Sequence, residues 1–343
     1  MGRELGAVYA AVGASWAISG GGWRLAIPGE DAEVRPLLAF NPPFSVMTCD
    51  RGDNTSVPKR GFVDIRAHPL PGVDDGPANG FVDIHAHALS GIDDGPATMI
   101  DALALLRAAG NSGTTTLVAT PHVRPDFPGV LVTELAARVE ALREEAERES
   151  IGMRLVIGAE VSLGWAVEAS DDELALASYG QRGKDLLIET PRVVVAGLGQ
   201  LLYRPRSRGF RVTLAHPERS PMFQRDPSQV EDLVSQGILL QVDAAALLGP
   251  GRSPIGRLAA KLCRDGLAHV IASDGHRAAS WRPVTALADA VEAVCAIVGP
   301  ARAQWMVCGA PAAIVAGLPL PEPPPVSGGG GGALSGRRYR RRP

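Results

Sequence analysis

Between residues 80 and 318, short runs of apolar and β-branched residues alternate with longer stretches in which apolar positions recur every three or four residues. That alternation is the pattern of strand–helix units. The strand-like runs are Phe81 to His87, Thr115 to Thr120, Arg154 to Glu160, Leu186 to Glu189, Arg211 to His216, Ile238 to Asp243 and His269 to Asp274. Between them, Thr98 to Gly110 reads as a helix. Leu131 to Glu149 reads as another, with Leu131, Leu135, Val139, Leu142 and Ala146 on one face and the pairs Glu134/Arg138 and Glu144/Arg148 on the wet face. A further helix is expected to open at Asp226 as N-cap, with Pro227 in its first turn, and to stop near Gly237. Repeated strand–helix units with apolar strands call for a parallel sheet, and this number of them suggests a sheet closed into a barrel.

The flanks follow different rules. Residues 1 to about 60 show no sustained periodicity and are rich in Gly and Pro, which suggests an extension. It is followed by a duplication, in which Gly61 to Ala78 (GFVDIRAHPLPGVDDGPA) is repeated almost unchanged as Gly80 to Ala97 (GFVDIHAHALSGIDDGPA). The first copy has Arg66 where the second has His85, and only the second runs into a helical stretch, so the second is the working copy. Two short copies cannot stack a core, which argues against a solenoid. From Pro319 a proline run, the glycines Gly328 to Gly332 and a cluster of arginines ending at Arg342 read as a disordered tail. The expected organisation is an amino-terminal extension over 1–79, a folded domain over 80–318 and a flexible tail over 319–343.

Composition narrows the function classes. A chain of 343 residues that is 45% hydrophobic can bury a large core. A net charge of −3 and a pI near 6.2 give no reason to expect nucleic acid or an anionic membrane as partner. No run reaches the ~20 apolar residues of a membrane span, and Gly6 to Ser19 has too weak a basic flank for an export signal. Cys49, Cys263, Cys295 and Cys308 form no CxxC pair, which suits reduced thiols in the cytoplasm. None has Arg six positions later, which excludes the thiol-phosphate chemistry of cysteine-dependent phosphatases.

What remains is a pattern of imidazoles and carboxylates. His85 and His87 alternate along one strand and so point to the same side. His122 follows the next strand, Glu160 ends the one after, then come Glu189, His216, and Asp274 with His276. In a parallel barrel these carboxyl ends share one rim, where barrel enzymes place their sites. Asp94, in the loop Gly91–Gly95, adds a carboxylate beside the first strand. So many ionisable groups on one rim need cations to neutralise them. A nitrogen and oxygen set without thiolate suits two or three ions of Mn²⁺, Fe²⁺ or Zn²⁺. His269, at the opposite end of its strand, and His68, in the first repeat copy, fall outside this set.

The runs FVDIHAHALSGIDDGP, LVATPHV, VIGAEV, LLIET, TLAHPER, LQVDAAALLG and VIASDGH resemble, in order and spacing, the polymerase and histidinol phosphatase (PHP) superfamily. Within it they are most similar to the bacterial manganese-dependent tyrosine phosphatases of capsule and exopolysaccharide synthesis. The resemblance implies a seven-stranded PHP-type (β/α) barrel similar to the TIM barrel, a trinuclear manganese site with ligands at His85, His87, Asp94, His122, Glu160, Glu189, His216, Asp274 and His276, and contact between Arg219 and the substrate phosphate or the leaving oxygen. It also implies a tyrosine-phosphorylated kinase of polysaccharide synthesis as partner. The expected chemistry is phosphomonoester hydrolysis by a hydroxide formed at the metals, with a phenolate leaving group. Val123, Thr190 and Ser220 stand where that family commonly has His or aromatic residues, a departure that touches substrate preference. Two other readings are a phosphatase for a small substrate such as histidinol phosphate and a catalytically inactive regulatory scaffold.

Overall fold

The computed structural model describes residues 15–19, 22–26, 80–249 and 253–327. The chain divides into two units, Met1–Arg60 and Gly61–Pro343. In the first, β1 (Ser15–Ser19) pairs antiparallel with β2 (Gly22–Ala26), with Ser19 opposite Gly22. This hairpin was not expected from the sequence pattern. The first repeat copy, Gly61 to Ala78, and the arginine-rich end lie outside the described residues.

In the second unit the strands are β3 (Phe81–Ala86), β4 (Thr114–Ala119), β5 (His122–Val123), β6 (Arg154–Ile157), β7 (Glu160–Ser162), β8 (Asp185–Glu189), β9 (Arg211–Ala215), β10 (Leu239–Asp243) and β11 (Val270–Ala272). Every pairing among them is parallel: β3–β4–β6 on one side and β5–β7–β8–β9–β10–β11 on the other. The two sheets share their strands across bends, because β4 continues as β5 and β6 as β7. Pro121 has no N–H to continue the ladder at the first bend. At the second, a Cβ on Gly158 would lie 2.9 Å from Val118 Cγ1 and 3.1 Å from Tyr179 Cδ1, so only glycine fits there. Main-chain bonds carry the circuit through both bends: Thr120 N–H to Ala86 O (2.9 Å), Gly158 N–H to Ala119 O (3.0 Å) and Glu160 N–H to Pro121 O (3.1 Å). The last strand returns to the first through the Ala86/Gly275 bridge, with Asp274 N–H donating to His85 O (2.9 Å) and His87 N–H to Gly275 O (2.8 Å). The result is the closed α/β architecture expected from the alternation, with the expected run Arg154 to Glu160 broken at Gly158 and the run ending at Thr120 followed by a short further strand beyond Pro121.

Both faces of the strands are buried, as a helix-covered parallel sheet requires. Helix α1 (Met99–Asn111) opens on a capping box in which Thr98 and Asp101 satisfy each other's main-chain N–H groups. Helix α2 (Leu135–Arg148) buries Leu135, Val139, Leu142 and Ala146, and Arg138 and Arg148 pair with Glu134 and Glu144. Leu131 was expected on the buried face and is instead 49% exposed, because the first turn is a separate 3₁₀ segment, Val132–Glu134, that rotates it outward. The helix expected from Asp226 spans Ser228–Ser235, and Asp226 Oδ1 accepts from Ser228 N–H (3.2 Å).

Ordered packing runs past residue 318, where composition alone marks the start of a tail. Residues 319–327 lie along the barrel as an extended strap. Trp305 Nε1 donates to Pro321 O (3.0 Å), Arg302 Nη1 to Pro324 O (3.2 Å) and Ser327 N–H to Val298 O (2.9 Å), while Leu320 and Val326 pack on the core. Proline lacks a donor but keeps its carbonyl, and it is the carbonyls that are used here. Among the described residues no helix is long and apolar enough to cross a membrane.

Candidate metal centre

The strand order turns sequence-distant residues into neighbours. His85 and His87 sit at the carboxyl end of β3, fully buried, with ring centroids 5.4 Å apart. Each is oriented from behind. Gln241 Oε1 accepts from His85 Nδ1–H (2.9 Å), and the His216 main-chain N–H (3.3 Å) donates to the same oxygen, which fixes the amide's orientation. Asp93 Oδ2 accepts from His87 Nδ1–H (2.7 Å), and the main-chain oxygen of Asp274 accepts from His276 Nδ1–H (2.8 Å). With Nδ1 protonated, the Nε2 lone pair of each ring faces the centre, the tautomer a ligand needs.

The carboxylates complete the cluster. Glu160, at the bend before β7, is fully buried. Its Oε2 lies 2.8 Å from His122 Nδ1 and 3.4 Å from Nε2 of both His85 and His87; Oε1 lies 2.8 Å from His216 Nε2. Asp274 Oδ1 is likewise 3.4 Å from Nε2 of His85 and of His87. Asp94 Oδ1 is 3.1 Å from His276 Nε2 and 3.7 Å from His122 Nε2. His216 and Asp274 hold φ of 36° and 49°, sparsely populated for such residues and typical of sites whose surroundings impose the geometry. Gly275 separates Asp274 from His276 because a Cβ there would lie 2.7 Å from Val284 Cα.

Burial pushes the Glu160 carboxyl up, but His85 and His122 outweigh it and hold it well below the ordinary carboxylate range. Asp274 is also held well below, burial again being overcome by His85, His87 and Arg219. Burial lowers the His87 imidazole, yet Asp93 and the other carboxylates raise it well above its usual value. The Glu160 and Asp274 carboxylates therefore stay ionised at neutral pH at the cost of burying charge.

Glu189, at the end of β8, accepts from Arg124 Nη1 with both oxygens (2.9 and 3.0 Å) while facing His122 and Glu160. Arg219, in the turn after His216, places Nη1 2.7 Å from Asp274 Oδ2 and pairs through Nη2 with Asp243. A cleft of about 800 Å³ opens from this rim, lined by Asp94, His122, Arg124, Glu189, Trp281 and Arg282 among others.

All the candidates marked in the sequence thus lie in one connected group. His269 lies away from it, at the start of β11 against Trp305 (6.4 Å), and His68 is outside the described residues. Cys263 and Cys308 are pushed up to about 12 by burial, and Cys263, Cys295 and Cys308 are unpaired among the described residues. Several supporting residues were not marked, Arg124 beside Glu189 among them. Asp93 was overshadowed by Asp94. Gln241 and Asp243 carry a usable signal, polar side chains at alternate positions of the apolar run β10. Arg282 lies in a loop without periodicity, its Nη1 3.1 Å from His276 Nε2 and 3.5 Å from Asp274 Oδ2.

The fit to metal ions can be tested on atoms. Nε2 of His85 and His87, Nδ1 of His216 and Oδ1 of Asp274 are all buried and, among the described residues, without hydrogen-bond partners. Buried polar groups are normally satisfied, so imidazole nitrogens and carboxylate oxygens left over and converging on one space suit a bound cation. Three sets place donor atoms within 4.8 Å of one another: His87, Asp94, His122 and His276; His85, His87 and Glu160; His122, Glu160 and Glu189. Nitrogen and oxygen donors without sulfur suit first-row divalent ions.

Fold and site define a metal-dependent enzyme built on a parallel α/β barrel. The chain belongs to the CpsB/CapC family of capsular polysaccharide synthesis, whose family model matches residues 81–316. It is similar to the tyrosine-protein phosphatase YwqE of Bacillus subtilis (32% identity over 219 residues, 63% of this chain and 77% of YwqE). It is also similar to CapC of Staphylococcus aureus (30% over 216 residues, again 63% and 77%). A chain from the crystal structures of B. subtilis YwqE and Streptococcus pneumoniae CpsB, described as unique metal-dependent tyrosine phosphatases, superposes with a TM-score of 0.62. Its identity is 25%, over 71% of this chain and 98% of that one.

Proposed function

We propose that this protein is a metal-dependent protein-tyrosine phosphatase. The observation that carries the reading is the convergence of orphaned imidazole nitrogens and carboxylate oxygens beside Arg219 at one barrel rim. The family membership and the phosphatase relatives support the same conclusion. His85, His87, Asp94, His122, Glu160, Glu189, His216, Asp274 and His276 would hold two or three ions, with Mn²⁺ the assignment and Fe²⁺ or Zn²⁺ compatible with the same donors.

Bound divalent ions supply Lewis acidity and a lowered pKa for water. The chain's own groups do the rest. Gln241, Asp93 and the Asp274 carbonyl lock the imidazoles in the ligating tautomer. Arg219, held by Asp243 and Asp274, offers its guanidinium to the phosphoryl oxygens, whose charge must be stabilised as the ester bond breaks. A phenol of pKa about 10 leaves without a strong general acid, which suits an aryl phosphate. The natural substrate is then a phosphotyrosyl protein, with a tyrosine kinase of polysaccharide synthesis as the assigned partner. A reducing cytoplasm suits the unpaired Cys263, Cys295 and Cys308.

The test is phosphate release from a phosphotyrosyl peptide with metal content measured on the same sample. Activity should vanish on chelation, return with Mn²⁺, and fall at least about 10³-fold in His87→Ala. Full activity of the metal-free protein or of that variant refutes the reading. Preference for histidinol phosphate would move the substrate to a small molecule.

A further inference from the structure

The loop after Asp274–Gly275–His276 is built more firmly than ligand placement requires. His276 N–H donates to Arg282 O (2.9 Å), Val284 N–H donates to Arg277 O (2.9 Å), and Arg277 bridges to Pro283. The Arg277 side chain ties the loop's base to the Asp94 turn, with Nη1 donating to the main-chain oxygens of Asp94 (3.0 Å), His276 (2.8 Å) and Gly95. Ser280 and Arg282, on either side of Trp281, hold φ of 74° and 48°. Such conformations are sparsely populated and persist where the surroundings impose them.

What this backbone presents is Trp281, 55% exposed. An indole left half in water forgoes a large apolar burial. It is held in place on two sides: its ring meets His276 edge-on at 5.2 Å, and the Arg282 guanidinium stacks 4.7 Å above it. The ring lines the same cleft as Asp94 and His122, with Leu163, Val195 and Leu201 among the other lining residues. The indole therefore packs directly against one imidazole of the candidate metal-ligand cluster.

We infer that Trp281 is a specificity-determining residue that stacks on the phenyl ring of a phosphotyrosyl side chain; the inference rests on the phosphatase reading above. In an aryl phosphate the ring is joined to phosphorus through one oxygen. A phosphoryl group held by Arg219 at the metal-ligand cluster therefore leaves its ring just outside, where the indole stands. An alkyl or acyl phosphate puts no π-face there. Arg282, between indole and Asp274, brings a cation beside both the ring and the phosphoryl group.

The experiment compares wild type, Trp281→Ala and Trp281→Phe with two substrates, a phosphotyrosyl peptide and acetyl phosphate, an activated phosphate without a ring. Trp281→Ala should raise KM for the peptide roughly three- to tenfold more than it raises KM for acetyl phosphate, the worth of one aromatic stack. Trp281→Phe should recover most of that difference. Calorimetric titration with benzylphosphonate and ethylphosphonate gives a second readout without turnover: wild type should prefer the benzyl compound, and Trp281→Ala should lose that preference. An unchanged peptide KM, or an equal change for both substrates and both phosphonates, overturns the role of Trp281 and leaves the phosphatase reading standing. A metal-loaded wild type that hydrolyses neither substrate overturns both.

Discussion

At the residue scale, the groups behind the candidate ligands matter as much as the candidates themselves. Asp93 accepts with both oxygens, from His87 Nδ1–H and His122 N–H on one and from Gly95 N–H on the other. An Asn there would have to point a donor at a donor. Asp93→Asn should therefore weaken Mn²⁺ binding about 10- to 100-fold with the fold retained, as read by metal titration; unchanged affinity would show that His87 needs no such support. His269 makes a different case. It accepts from Leu240 N–H through Nδ1 (3.2 Å), and burial, with the Arg302 charge adding, lowers it from its ordinary 6.5 to about 4. The unfolded chain takes up that proton first, so the stability present above about pH 6.5 is lost as pH falls towards 4, by about 3 kcal/mol from this group. His269→Asn, which keeps an acceptor but does not titrate, should remove that portion of the acid sensitivity in denaturation measured across the range. Parallel pH profiles for variant and wild type would count against it.

At the element scale, the strap over residues 319–327 stands out because it satisfies donors the barrel cannot satisfy itself. Trp305 Nε1 and Arg302 Nη1 both point at proline carbonyls in it. A chain ended at 318 should be less stable than one ended at 327 by about 2–4 kcal/mol, from orphaned donors and the uncovered apolar surface of the core. Urea denaturation of the two chains decides; equal midpoints would mean that the strap contributes nothing. The bends in the strand circuit have a clear local cause in Pro121 and Gly158, but nothing in the hydrophobic alternation reports a bend. The runs through Thr120 and Glu160 therefore read as straight strands, and Leu131 reads as buried because its 3₁₀ turn preserves the apolar spacing while changing the direction of the side chain.

At the scale of the whole molecule, the barrel gathers like and unlike charges at one rim, and metal binding becomes part of folding stability. Ions that bind only the native state stabilise it by mass action, about 2.7 kcal/mol for one site at a free concentration a hundred times its Kd. The melting temperature should rise with Mn²⁺ concentration and fall on chelation, whereas Glu160→Gln should blunt the dependence. A melting temperature indifferent to metal would mean that the orphaned donors are satisfied in some other way.

The sequence by itself determined the alternation of strands and helices, and it put His85, His87, His122, Glu160, Glu189, His216, Asp274 and His276 at or next to strand ends. That information is local: a period of two along a strand and the residue at its carboxyl end are readable without knowing any neighbour. Only the tertiary structure decided which nitrogen of each imidazole faces inward, that Gln241 stands behind His85 from far along the chain, and that Asp243 holds Arg219. It alone also placed Trp281 at the mouth of the cleft and ran the strap on past residue 318. Those pairings depend on how the barrel closes and on which strand lies beside which, and no spacing within a single segment encodes them.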